Sequence, residues 1–388
     1  MKWYKFINNS SILNNKCFSR KNCTRNVNTK ACWSGFGRMG SKNLNSIETQ
    51  KNNVITDNCL SLIRIIAAFQ VMFGHMIEHL ELPGNDTILH MTYFLRGVPI
   101  FFVISGFLIW FSIQRSKSCI DFLWKRFWRI YPELWVAVAI EIIVLVLLYS
   151  GWDVKRLLLF AFGQGSIFQF YTPDCLRGYG TGTPNGALWT IGVIIQFYII
   201  VWAFHKLMEK RKAVTWIIGL AASFAISWLG TVCTYNWIGV EILGKLYDQT
   251  FIKYFWLFYI GMLIAEYKDV ILPFIIKYWF GLLVVAFCFF LTGWDFFSGY
   301  YLGWSLFLTC GLIGFAYRFP QLSINTDISY SLFLYHMIVV NVFVNFDWTR
   351  NWLYAILVVL IAITLSYLST VTIGRWSDKK KKMAQLRS

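Results

Sequence analysis

An arginine and a histidine, Arg64 and His75, stand eleven residues apart inside one apolar segment, Leu60 to Leu80. That segment is close to the roughly 20 residues needed to cross a bilayer. An ionisable side chain there is costly against lipid, so it faces a protein interior or a water-filled cavity. Eleven steps at about 3.6 residues per turn make almost three whole turns. Both side chains then point the same way, about 16 Å apart along the axis. A permanent cation near one end and a titratable imidazole near the other share one polar stripe. An imidazole, with an ordinary pKa of ~6.5, can take a proton from a hydroxyl or carry a covalent group. The structural alternative has Arg64 reaching a head-group phosphate and His75 satisfied inside a packed core.

Further polar groups recur near the same depths. Glu78 either orients a neighbouring ring or sits at the rim, and His79 lies one turn beyond His75, at the interface. Two histidines at i, i+4 can hold a metal, but no third ligand is evident and no metal site is expected. Arg96 opens the next apolar segment at a depth similar to His75, either as a ligand for negative charge or as an interfacial anchor. His336 falls near mid-membrane in a late segment, as a proton relay or a structural hydrogen-bonding group. Trp189 and Tyr198 bracket another segment, to stack on a ligand or to form aromatic belts. Gly97, Pro99, Ser105 and Gly106 read as close-packing positions.

The elements that must position these groups are membrane helices. The chain is 57% hydrophobic and carries 19 Trp, 20 Tyr and 35 Phe. Ten segments are apolar enough to span: 60–80, 94–114, 132–150, 187–207, 213–232, 251–267, 274–292, 300–317, 328–347 and 352–374. The fold class expected is all-α, a polytopic membrane protein with about ten transmembrane helices. The stretch 151–186 between spans contains a short apolar piece, Leu157 to Phe162, then turns polar and glycine-rich from Thr172 to Gly186. Irregular backbone at membrane depth is tolerated mainly where it lines a cavity. Substrate entry is expected there.

Charge fixes orientation. Most of the 36 Lys and Arg fall in 1–59, 115–131, 206–212, 268–277 and 375–388, which places both termini in the cytoplasm. The net charge of +17 is thus a topology signal, and no folded basic domain exists to bind nucleic acid. Residues 1–58 read as a disordered basic cytoplasmic tail, with Met39 a second possible start. Residues 59–375 form the membrane domain and 376–388 a second basic tail. The nine cysteines give no disulfide framework. Cys175 and Cys233 are the one pair on the same, outer side.

The motifs resemble, in order, those of the acyltransferase-3 family of integral membrane acyltransferases. Arg64 and His75 match its Arg-x10-His signature, and Gly97-Val-Pro-Ile-Phe-Phe-Val-Ile-Ser-Gly-Phe-Leu-Ile109 its second-span signature. Arg126-Phe-Trp-Arg129-Ile-Tyr-Pro132 resembles its Arg-x-x-Arg loop. Tyr171-Thr-Pro, Gly182 to Thr190 and Gln196-Phe-Tyr198 are similar to its sugar-modifying members, and Ile328 to His336 to a late-span motif. One departure stands out. Relatives usually carry Glu after the fourth-span Val, whereas Val193 is followed here by Ile194 and Ile195. A fused C-terminal esterase-like domain, which some relatives carry, is not expected here.

The resemblance implies a membrane O-acyltransferase. It would move an acetyl or other acyl group from acyl-CoA, as donor substrate, to a hydroxyl of a cell-envelope polysaccharide or lipid-linked glycan, in a bacterial inner membrane. His75 would be the general base and Arg64 its catalytic companion. Arg126 and Arg129, at i and i+3, would bind CoA phosphates through planar guanidinium forks. The alternative for these two is ordinary anchoring beside Trp124, Phe127 and Trp128. Arg96, Glu78, Trp189, Tyr198 and His336 would hold or support the acceptor. A polytopic glycan transporter, flippase or polymerase is the alternative from another class, although no internal repeat is visible.

Overall fold

The computed structural model describes residues 57–169, 171–293 and 302–387; the expected disordered tail, 1–58, lies almost wholly outside them. Among the described residues every regular element is helical. The helices are α1 (Leu60–His79), α2 (Asn85–Thr92), α3 (Gly97–Gln114), α4 (Cys119–Leu148), α5 (Val154–Gln164), α6 (Trp189–Met208) and α7 (Ala213–Thr231). They continue with α8 (Glu241–Tyr247), α9 (Phe251–Glu266), α10 (Lys268–Thr292), α11 (Leu302–Arg318), α12 (Ser329–Asn345), α13 (Trp352–Ser369) and α14 (Arg375–Arg387). Seven helical stretches are long and apolar enough to cross a membrane. Three apolar helices of 16 or 17 residues, α9, α11 and α12, occupy the other expected positions. The protein is all-α and polytopic.

The third span differs most from its expected bounds. The cationic stretch and Pro132 place its start at 132, yet α4 begins at Cys119 and runs through the proline. Ser118 Oγ caps that start by accepting from Asp121 N at 3.1 Å. A proline has no N–H for the carbonyl four residues back, here that of Trp128. Ser377 Oγ, on α14, donates to that carbonyl instead. The helix therefore continues, and Arg126 and Arg129 sit on a helix rather than in a loop.

Helix α1 is central, packed against α3, α11 and α12. Small residues set the close crossings. A Cβ on Gly106 of α3 would lie 2.0 Å from the Phe258 carbonyl of α9, and one on Gly261 of α9 would lie 2.0 Å from the Val103 carbonyl. Only glycine permits that reciprocal approach, so α3 and α9 meet backbone to backbone. A Cβ on Gly97 would likewise lie 2.3 Å from the Ala67 carbonyl, which fixes the start of α3 against α1. Helix α12 is buried on nearly every face, between α1, α4 and α13. By contrast α7 and α10 bury only 11% and 17% of their apolar windows, as helices turned to lipid do.

The glycine-rich stretch after α5 is seated on α12. Asn341 Nδ2 donates to the Thr183 and Pro184 carbonyls, while Asn341 Oδ1 accepts from Thr181 N at 2.7 Å. Asn185 Nδ2 donates to the Leu334 carbonyl at 3.0 Å. Cys175 and Cys233 are both free thiols.

Candidate active site

Two cavities flank α1, and they divide the residues that the helical spacing had placed on one stripe. The first is a cationic cavity of about 90 Å³ near the N-terminal end of α1. Arg64 and Arg129 line it with Tyr198, Ser105, Thr190, Ser329 and Tyr330. Phe101, Phe102, Ile130, Ile191, Ile194 and Phe333 make the remaining wall largely apolar. Arg64 Nη1 donates to Asp327 Oδ2 at 2.7 Å, and Asp327 Oδ1 accepts from Ser329 N at 3.0 Å. Arg129 lies over the Tyr330 ring, 5.8 Å from its centroid. Burial pushes the Asp327 carboxyl up, but the guanidiniums of Arg64 and Arg129 overcome it and hold the group below its ordinary value.

The second is an open cleft of about 310 Å³ at the C-terminal end of α1. His75, Glu78 and Gln70 line it from α1, Arg96 and Gly97 from the start of α3, and Tyr93, Trp189 and Tyr254 complete it. Gln70 Oε1 accepts from Gly97 N at 2.6 Å, tying α3 to α1 at the floor. Trp189 and Tyr254 pair their rings at 5.4 Å, and Arg96 lies over the Trp304 ring at 5.2 Å.

The His75 ring stacks on His336 at 5.5 Å and on His79 at 5.6 Å. His336 is fully buried. Its Nδ1 lies 3.0 Å from the Leu332 carbonyl. A carbonyl only accepts, so Nδ1 carries the proton and, in the neutral ring, Nε2 keeps its lone pair. Nε2 of His336 and Nδ1 of His75 have no hydrogen-bond partner. A buried polar atom left unpaired is costly, so both nitrogens are open to a further hydrogen-bonding partner.

Several expected placements change. Arg64 does not share a cavity with His75; it belongs to the cationic cavity, paired with Asp327. Arg126 does not line that cavity: its Nη2 donates to Ser112 Oγ at 2.9 Å, and its head lies over the Phe122 and Tyr198 rings. Tyr198, grouped with the acceptor residues, lines the cationic cavity, whereas Trp189, nine residues earlier on α6, lines the cleft. Ser105 lines a cavity rather than only packing. No residue of the Thr172–Gly186 stretch lines the cleft.

Sequence reasoning missed Asp327, Tyr330, Gln70 and Val98. Asp327 had a signal: an acid directly before the late-span motif at Ile328. It pairs with Arg64, which lines the cationic cavity together with the aliphatic Ile194. Glu78 also supplies what the two histidines lacked. Ligand atoms of His75, Glu78 and His79 all lie within 4.8 Å of one another.

A half-buried imidazole stacked on a buried one, with a cationic, partly apolar cavity farther along the same helix, suits acyl transfer within a helical membrane body. The chain belongs to the acyltransferase-3 family: that family's model, an acyltransferase domain, matches residues 57–371. It is similar to Nodulation protein 10 of Rhizobium leguminosarum bv. viciae, 28% identical over 320 residues, covering 76% of this chain and 86% of that one. It is also similar to an O-acetyl transferase of Shigella phage Sf6, 31% identical over 190 residues, 45% of this chain and 53% of the relative. A shorter match, 41% over 54 residues, joins it to the exopolysaccharide production protein ExoZ of Rhizobium meliloti (strain 1021), 14% of this chain and 17% of that one. No solved structure matches it. The protein is an integral membrane acyltransferase rather than a transporter, flippase or polymerase.

Proposed function

We propose that the protein moves an acetyl group from acetyl-CoA, entering by the cationic cavity, to a hydroxyl of a cell-envelope polysaccharide or lipid-linked glycan held in the histidine cleft. One observation carries this reading. Val98 lines both cavities, so this one side chain borders the cationic cavity on one side and the histidine cleft on the other. A thin thioester arm entering past Arg64 and Arg129 reaches Val98 from one side while a hydroxyl reaches it from the other.

The chemistry follows from the two sides. Arg129 and Arg64 offer guanidinium N–H donors to anionic or carbonyl oxygens of the donor. The narrow, mostly apolar cavity excludes water from the thioester. Neutral His75 takes the proton of the acceptor hydroxyl as its oxygen forms a bond to the thioester carbonyl. The carbon–sulfur bond then breaks, and the CoA sulfur leaves with the proton that His75 returns. His336 stacks behind His75 and fixes its ring. Arg96, at the start of α3 beside the cleft, stabilises the negative charge developing on the carbonyl oxygen. Trp189 supplies an apolar face for a sugar ring, and Glu78 a hydrogen-bond acceptor at the rim.

The excess of Lys and Arg around the termini favours a cytoplasmic N-terminus, which turns Arg64 toward cytoplasmic acyl-CoA and His75 away from it. In a bacterial inner membrane, His75 would then act on the outward-facing side. The experiment is transfer of labelled acetyl from acetyl-CoA to envelope polysaccharide in membranes that contain the protein. Label in the polysaccharide, absent with empty membranes, is the expected result. Polysaccharide that gains no label contradicts the reading.

A further inference from the structure

We propose that His75, Glu78 and His79 form a binding site for a borderline-soft divalent metal ion such as Zn²⁺, and that an ion held there reversibly inhibits acyl transfer. The three residues stand at i, i+3 and i+4 of α1, so all lie on one face of its last turn. Their ligand atoms fall within 4.8 Å of one another. The two imidazoles run nearly parallel, 8° apart, with centroids 5.6 Å apart. His75 Nδ1 is buried with no hydrogen-bond partner, and Glu78 stands at the cleft, through which an ion enters. Glu78 forms no ion pair among the described residues, so its charge is available to a cation.

The ligand set selects the ion. Calcium and magnesium take oxygen ligands, whereas two imidazoles and one carboxylate suit zinc and neighbouring transition metals. Three protein ligands also leave the fourth position of a tetrahedral ion open to water. An ion in this place occupies an imidazole lone pair, the one that proton removal by His75 requires. The inhibitory half of the inference therefore rests on His75 as the base; the binding half does not.

The test uses the full-length protein in detergent, stripped with a chelator and titrated with Zn²⁺ against a chromophoric zinc indicator. His79→Ala is compared with the unaltered chain, and acetyl transfer is measured at each zinc concentration. Thiol sites elsewhere are common to both proteins and cancel in the difference. The expected result is zinc affinity at least ~10-fold weaker in His79→Ala, the low end of the usual loss when a metal site is disturbed. With each protein's transfer scaled to its own metal-free rate, the zinc concentration for half-inhibition shifts by the same factor. Identical zinc titrations of the two proteins would overturn the site. Zinc binding that depends on His79 but leaves transfer untouched at saturation would overturn the inhibition, and with it the assignment of His75 as base, while the metal site stands.

Discussion

The two ends of α1 treat their ionisable side chains in opposite ways. At the Arg64 end a permanent cation meets a carboxylate at 2.7 Å, a second guanidinium faces an aromatic ring, and the chamber is tight. At the His75 end the cleft is more than three times larger, and two imidazole nitrogens are left without partners. A charge that cannot be neutralised needs a partner away from water, whereas an imidazole can stay neutral with a lone pair to spare. The paired end is suited to holding a ligand and the unpaired end to reacting with one. Between them stands Val98, positioned by the close contact of Gly97 with α1.

Removing the reactive end should have the largest effect. His75→Ala should lower acetyl transfer by ~10²–10⁴-fold, the usual contribution of a general base, with abundance in the membrane unchanged on an immunoblot. Transfer within a few-fold of normal would erase the distinction between the two ends. Blocking the junction comes next. Val98→Phe should reduce kcat by about 10²-fold, the scale on which misplacing reacting atoms acts. Its KM for acetyl-CoA should change little, because Arg64 and Arg129 remain; a kcat equal to that of the unaltered protein would show that the chambers do not meet there.

The paired end sharpens the comparison by separating two arginines. Arg129→Ala should raise the KM for acetyl-CoA about 10-fold, and Arg129→Lys should recover only part of that, because a lysine keeps the charge but not the planar fork. Arg126→Ala, whose side chain holds Ser112 and faces two rings, should change the donor KM less than Arg129→Ala does. Equal KM shifts from the two alanine substitutions would restore the view that both arginines bind the donor.

The smallest effect concerns stability. Asp327→Asn leaves Arg64 without its ion pair and should cost about 1–3 kcal/mol. That is less than the ~3–5 kcal/mol of a fully buried pair, because each side chain keeps 21% exposure. The Asp327 pKa lies below its ordinary value of 3.8, so its contribution is complete above that pH and lost as pH falls through the lower folded value. The difference in Tm between the unaltered protein and Asp327→Asn should therefore hold steady above about pH 5 and shrink in stronger acid. A difference that grows on acidification would reverse the sign of the argument.

Much of this was legible in the sequence because membrane spans are read from local composition. The apolar segments, the place of His75 near the C-terminal end of α1 and the rare charges within spans needed no tertiary information. What was hidden came from contacts between segments far apart in the chain. Pro132 reads as a helix start, since nothing near it in sequence shows that Ser377 will serve the Trp128 carbonyl. The helical repeat placed Arg64 and His75 on one stripe, but periodicity carries no trace of Val98 arriving from α3 to divide the space beside it. The stacking of His336 on His75 likewise joins residues 261 positions apart. Glu78 is the opposite case: its place at i+3 from His75, within reach of that ring, is readable from helical spacing alone.

Acetyl-CoA binding measured on His75→Ala tests the division of labour most directly. Equilibrium binding of labelled acetyl-CoA to the purified variant should give a Kd within about twofold of the unaltered protein, while transfer to polysaccharide is lost. Arg129→Ala should show the reverse emphasis, with weakened binding and residual transfer at high donor concentration. Donor binding lost together with transfer in His75→Ala would contradict the account, because it would put the donor's binding determinants in the histidine cleft rather than in the cationic cavity.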